Sequence, residues 1–268
     1  MPAWFDRMVL NASEALIACL PERRPGRDQL DACRIIGHRG DRDARGVLEN
    51  TLPAFDRLLD AGVWGLETDL RWSRDLQAVI SHDANLARVF GHELTIAQHT
   101  LATLQAREPA LPDLAQLVAR YGGRLHLMLE LKAEPSLDLA AQARHLRETL
   151  QGLQPGRDYH FITLDCACFD IVRDWPSQAL APIARLDVAG LSRETLRAGF
   201  GGLSAPAPLL RSAQVRRHRA TGQQVGVGFP RRRKSLLHEA ARDVNWLFTD
   251  HACALQRHLA RAKADLEP

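Results

Sequence analysis

The chain has 268 residues, 46% hydrophobic and 25% charged, a composition that can bury a large core and excludes a disordered polymer. Its formal net charge of +3 is too small to imply nucleic-acid binding. No apolar run approaches the ~18 residues of a membrane-spanning helix, and the five scattered cysteines (Cys19, Cys33, Cys166, Cys168, Cys253) argue against a disulfide framework or zinc site and for a reducing, cytoplasmic location.

Residues 1–30 read as an N-terminal amphipathic helix and linker. Phe5, Met8, Val9, Ala12, Leu16 and Leu20 fall on one stripe, and "PERRPGRD" (21–28) is the linker. The start is not a signal peptide, because it lacks a basic segment followed by an apolar core. The stripe suits a helix capping its own domain; a membrane surface is the less favoured alternative, since the polar face is poor in Lys and Arg.

From residue 31 to 268 short apolar runs alternate with helical patterns. The strands expected are "CRIIGH" (33–38), "GLETDL" (65–70), "RLHLMLELK" (124–132) and "YHFITLD" (159–165), followed by "LAPIARL" (180–186), "GGLSAP" (201–206), "QQVGVGF" (223–229) and "NWLFTD" (245–250). Most are almost continuously apolar, as parallel strands covered on both faces are. Helical patterns at Thr51–Ala61, Leu137–Leu150, Leu209–Thr221 and Ser235–Arg242 separate them, which predicts a TIM (β/α)8 barrel. "LQAVISH" (76–82) follows strand two too closely for a parallel crossover, so it is read as an antiparallel return that brings His82 to the height of Asp69.

Polar residues then collect at the strand ends. His38 and Arg39 close strand one, Glu67 and Asp69 share a face of strand two, Glu130 and Lys132 close strand three, and Asp250 closes the last. In a barrel these C-terminal ends ring one face, where chemistry is built. Singly, each has a structural explanation: a hydrogen-bonding histidine or a salt bridge. Together, Glu67, Asp69 and Glu130 make a hard oxygen site suited to Mg²⁺ or Ca²⁺. His38 and His82 can divide the acid and base roles, and Arg39 and Lys132 suit a phosphate. That combination describes hydrolysis of a phosphoester.

Residues 37–88 carry H-R-G, E-N-T, E-x-D and H-D-x-x-L-x-R in one order and spacing, "LELK" (129–132) adds E-x-K, and "NWLFTD" adds a terminal T-D. In these motifs the chain resembles the glycerophosphodiester phosphodiesterase family. The resemblance implies a TIM barrel with a small insertion after strand two and one divalent metal ion on Glu67, Asp69 and Glu130. It implies His38 and His82 as the acid–base pair, Arg39 and Lys132 on the phosphate, and Glu49 and Asn50 as supporting residues. Asn50 also reads as an N-cap for the helix that follows.

The chain departs from that pattern on the substrate side. Where the family has an aromatic and an amide after strand seven, "VGVGFPRRRK" (225–234) places Gly228 and Arg231, and "TLDCACF" (163–169) lacks the family's S-F. Phe229 and Arg231 are therefore candidates for the substrate rim, while "RRRK" also reads as a solvated cluster at a helix start. Three functions follow: a glycerophosphodiesterase, a lysophospholipase D-like enzyme acting on a lipid phosphodiester, and a barrel that binds diesters without turnover. The partner expected is a small-molecule phosphodiester; the oligomeric state is open.

Overall fold

The structure, a computed structural model, describes residues 17, 21, 23–42, 46–134 and 138–266. The stripe from Phe5 to Leu20 that carries the expected amphipathic helix lies outside them, Ile17 apart. The strands are β1 (Arg34–His38), β2 (Gly65–Trp72), β3 (Ala78–Ile80), β4 (His126–Leu131), β5 (Tyr159–Thr163), β6 (Leu180–Pro182), β7 (Gly202–Pro206), β8 (Gln224–Gly228) and β9 (Trp246–Thr249). They lie side by side in the order β6-β5-β4-β2-β1-β9-β8-β7, with β3 antiparallel on β2. Ile183 bridges Ser204 and nearly closes β6 onto β7. The expected TIM barrel is the observed architecture.

Alternation along each strand divides its side chains between two cores. Leu66, Leu70, Leu127, Leu129 and Phe161 point outward under the helices, whereas Ile36, Met128, Ile162, Trp246 and Phe248 fill the barrel. The helix Leu52–Asp60 shows how the outer layer forms. Pro53 sits in its first turn, where its missing N–H costs nothing, and Ala54, Phe55 and Leu58 make its buried face. The barrel floor is plugged: His126 Nε2 lies 2.8 Å from His160 Nδ1, His126 stacks on Trp64 with centroids 4.3 Å apart, and His160 meets Trp246 edge-on. Among the described residues this packing closes the floor and directs a substrate to the opposite mouth.

Two local readings change, and the expected insertion after strand two takes shape. Residues 27 and 28 of the expected linker begin a helix, Arg27–Ala32, anchored by buried Leu30 and by Lys263 on Asp31 at 3.1 Å. The strand expected over 180–186 shortens to Leu180–Pro182, after which Ile183 N donates to Thr163 O and Ala184 N to Ser204 O, so the chain passes from β5 to β7. After β3 the chain builds its own small core from Val79, Leu86, Ile96, Leu104 and Leu111 before the helix Leu114–Tyr121 leads into β4. This is the insertion after strand two.

Trp246 is 2% exposed at the floor, so Trp246→Ala leaves a cavity the rigid strands cannot collapse. It should lower the unfolding free energy in urea by about 3–5 kcal/mol. A loss below about 1 kcal/mol would contradict a packed floor.

Candidate active site

Strand register assembles the site. β1 and β2 pair His38 beside Glu67, and β2 and β4 pair Asp69 beside Glu130. β1 and β9 pair Gly37 with Thr249, which sets Asp250 next to His38. Leu70 pairs with Ile80 on β3, and Ser81 N donates to Asp69 O at 3.0 Å, so His82 returns to the same height. Because i and i+2 share a face, Glu67 and Asp69 both point into the mouth. Carboxylate oxygens of Glu67, Asp69 and Glu130 lie within 4.8 Å of one another.

Two cations meet this buried acid. Lys132 Nζ lies 2.6 Å from both Asp69 Oδ1 and Glu130 Oε1. Arg39 donates its backbone N–H to Glu67 Oε2 at 3.1 Å, its Nε lies 3.3 Å from Asp69 Oδ2, and its NH1 donates to Glu49 Oε1 at 3.0 Å. Reaching these positions needs a left-handed backbone at Arg39 (φ 57°) and Asn50 (φ 55°), where the loop after β1 leaves and returns. Asn50 N–H donates to Arg39 O at 2.9 Å and ties the two ends together.

Asn50 is not the helix cap. Thr51 occupies that position, and the Asn50 side chain turns inward, donating to Asp69 Oδ2 at 2.9 Å and accepting from Thr68 Oγ1 at 2.8 Å. The left-handed turn at Asn50 explains the difference, because it aims the amide at the barrel instead of along the helix axis.

Each histidine is held by an aspartate through the same nitrogen. His38 Nδ1–H donates to Asp250 Oδ1 and His82 Nδ1–H to Asp83 Oδ1, both at 2.8 Å. A carboxylate only accepts, so this fixes the Nδ1–H tautomer and leaves Nε2 as the free lone pair. His38 Nε2 lies 3.8 Å from Glu67 Oε2, so that lone pair faces the carboxylates. Burial pushes the pKa of His38 down, with Asp250 opposing. Burial and the Arg39 charge push His82 down, with Asp69 opposing. The downward shifts favour a free Nε2 lone pair, while Asp250 and Asp83 stabilise whichever ring carries a second proton.

The carboxylates divide by environment. Burial, then repulsion from Asp69 and Glu130, raises Glu67 well above the usual carboxylate range. Burial also raises Glu130, with Lys132 opposing. Asp69 resists burial and is held low by Lys132 and Arg39. Glu49 likewise overcomes burial: hydrogen bonding from Arg88 and the charges of Arg39 and Arg42 bring it down to about 2. Three carboxylates thus face two cations, and the site lacks positive charge. The donor set fits a hard divalent cation, because all three donors are carboxylate oxygens and buried Asp69 Oδ1 has no hydrogen bond beyond its contact with the Lys132 ammonium.

Phe229 lies at the rim, its ring 4.6 Å from that of His38 and nearly perpendicular to it. Arg231 follows on the same loop, ahead of the helix Arg233–Ala240, which starts within the expected arginine run. The sequence reading left three arginines unassigned. Arg42 reaches Glu49 and Asp250, Arg88 reaches Glu49 and Asp83, and Arg71 donates to His82 O at 2.8 Å. The R of H-D-x-x-L-x-R was the available signal for Arg88; Arg42 had none.

Residues 38–164 match the model of the Glycerophosphoryl diester phosphodiesterase family. YhdW of Bacillus subtilis is 32% identical over 114 residues, which cover 38% of this chain and 46% of that protein. Lysophospholipase D GDPD1 of Rattus norvegicus is 42% identical over 64 residues, 24% of this chain and 20% of that one. The chain thus aligns with less than half the length of these curated relatives. An Oleispira antarctica phosphodiesterase, solved in complex with the product sn-glycerol-3-phosphate, superposes with a TM-score of 0.69 at 22% identity, covering 85% of this chain and 96% of that one. Over residues 38–164 the chain is similar to the glycerophosphoryl diester phosphodiesterase family, and the barrel fold is shared beyond the matched stretch.

Proposed function

We propose that this protein is a divalent-metal-dependent glycerophosphodiester phosphodiesterase. The observation that carries the reading is the meeting of three buried carboxylates with two histidines, each held by an aspartate through Nδ1. Glu67, Asp69 and Glu130 hold one Mg²⁺ or Ca²⁺, which when bound polarises the phosphoryl oxygens. Arg39 and Lys132 bind the phosphate as charge-assisted donors. Glu49 orients Arg39, and Asn50 orients Asp69. Phe229 and Arg231 form the rim that meets the alcohol.

In the reaction an oxygen nucleophile, water overall, forms the new P–O bond while the bond to the leaving alcohol breaks. One histidine accepts the nucleophile's proton at Nε2, and the other, protonated, donates its Nε2 proton to the leaving alkoxide. Atoms balance as diester plus water giving phosphomonoester plus alcohol. The Oleispira antarctica phosphodiesterase, whose product is sn-glycerol-3-phosphate, supports glycerol phosphate as the expected monoester.

A lipid phosphodiester is the second reading, and exposed leucines on the strand-to-helix connections support it: Leu48, Leu139, Leu164, Leu186 and Leu209 each follow a barrel strand in the chain. An acyl chain could lie on such leucines. Among the described residues no helix is long and apolar enough to cross a membrane. The four described cysteines are free thiols, which supports a reducing, cytoplasmic location.

Hydrolysis of glycerophosphocholine, glycerophosphoethanolamine and lysophosphatidylcholine, with Mg²⁺, Ca²⁺ or chelator, tests these readings. Turnover should vanish in chelator, and His38→Ala and His82→Ala should each lower kcat by about 10²–10⁴-fold. Activity in chelator would remove the metal. Preference for the lyso-lipid would select the second reading, and binding without turnover of any diester would leave a non-catalytic barrel.

The raised Glu67 also has a thermodynamic consequence. A carboxyl that binds its proton more tightly when folded loses stability as pH rises above its unfolded value, 4.5. Without divalent cation, Glu67→Gln should therefore melt above the wild type at pH 7–8, a window set by that upward shift. Added Mg²⁺ or Ca²⁺ should raise the wild-type Tm more than the variant's. A lower Tm for the variant in chelator would contradict a repulsive cluster.

A further inference from the structure

A continuous chain of ion pairs runs around the mouth from one histidine to the other. His82 donates to Asp83, whose Oδ2 lies 2.5 Å from Arg88 Nε. Arg88 NH2 reaches Glu49 Oε1 at 2.6 Å, and Glu49 Oε2 is held by Arg42 NH1. Arg42 NH2 lies 2.7 Å from Asp250 Oδ1, which accepts from His38. Three acids alternate with two arginines: Arg42 and Glu49 follow β1, Asp83 and the helical Arg88 follow β3, and Asp250 follows β9. Glu49 is the hub: it is 8% exposed and also receives Arg39.

We propose that Arg88 and Glu49 are positioning residues that couple the two imidazoles, so that the orientation of one ring depends on the contacts of the other. The physical reason is that no member can turn alone. Asp83 shares its carboxylate between His82 and Arg88, and Asp250 shares Oδ1 between His38 and Arg42. Removing Arg88 frees Asp83 and strips Glu49 of one partner. Glu49 then settles on Arg42 and Arg39, and Arg42 shifts against Asp250. An acid and a base acting on opposite sides of one phosphorus must be aligned together, and a misplacement of about 1 Å costs about 100-fold in rate. This role rests on the reading of His38 and His82 as the acid–base pair.

Arg88 is the residue to test, because among the contacts described it touches Asp83 and Glu49 and neither the carboxylate cluster nor the phosphate cations. Its side chain is 50% exposed, so Arg88→Ala should fold. In protein with ¹³C-labelled histidine, the ring resonances of both His82 and His38 should move in Arg88→Ala, although Arg88 does not contact His38. Arg88→Lys, able to keep one of the two contacts, should restore them in part. With a hydrolysed diester, kcat of Arg88→Ala should fall about 10- to 100-fold with KM within about threefold. In a His82→Ala background the same change should cost less than in the wild type, because one of the two rings it aligns is gone. Unmoved His38 resonances, or an undiminished loss in the His82→Ala background, would overturn the coupling. The resonances decide the coupling even if no diester is turned over, so this test is separate from that of the proposed activity.

Discussion

Burying three carboxylates side by side is the constraint on which the rest of the site depends. Glu67 and Asp69 share one face of β2, and Glu130 sits beside Asp69 on β4. None can reach water freely, and unpaired buried charge is far too costly to leave in place. The protein answers with Lys132 between Asp69 and Glu130, Arg39 against Glu67 and Asp69, and the Asn50 amide on Asp69. These partners keep Asp69 ionised but leave Glu67 raised, so the protein alone does not complete the neutralisation. In the proposed function a divalent cation would complete it, and the same unbalanced charge that weakens the fold would create affinity for that cation.

The barrel makes this arrangement affordable. Register along β1, β2, β4 and β9 sets each polar end at one height, while Trp64, His126, His160 and Trp246 seal the other end. Hydrophobic packing of the lower barrel and its helices supplies the stability that the mouth gives up. The left-handed residues Arg39 and Asn50 belong to the same exchange: strained backbone persists where packing and hydrogen bonds over-determine it.

Much of this was legible in the sequence because it depends on short-range rules. Period-two alternation puts Glu67 and Asp69 on one face, and near-continuous apolar runs mark the eight barrel strands. The hairpin at 76–82 followed from loop length alone, and β3 pairs as that reading requires. What was not legible depends on partners distant in the chain. Asn50 carried two readings, a supporting site residue and a cap, and its left-handed backbone, set by closure of the loop onto Arg39, turns it toward Asp69 and away from the cap. Arg42 and Arg88 meet at Glu49 only because segments after different strands converge on the mouth; the motif H-D-x-x-L-x-R marks Arg88, but no local pattern in a chain rich in arginine singles out Arg42. The satellite core after β3 was hidden for a similar reason, since its short helices are too brief for a clear period.

Cation stoichiometry tests the central claim most directly. Mn²⁺ titrated into metal-free protein and followed by electron paramagnetic resonance should bind at one tight site per chain. Glu67→Gln, Asp69→Asn and Glu130→Gln should each weaken that site. Undiminished binding of Mn²⁺ in all three variants would show that the buried carboxylates do not share a cation and would contradict the account.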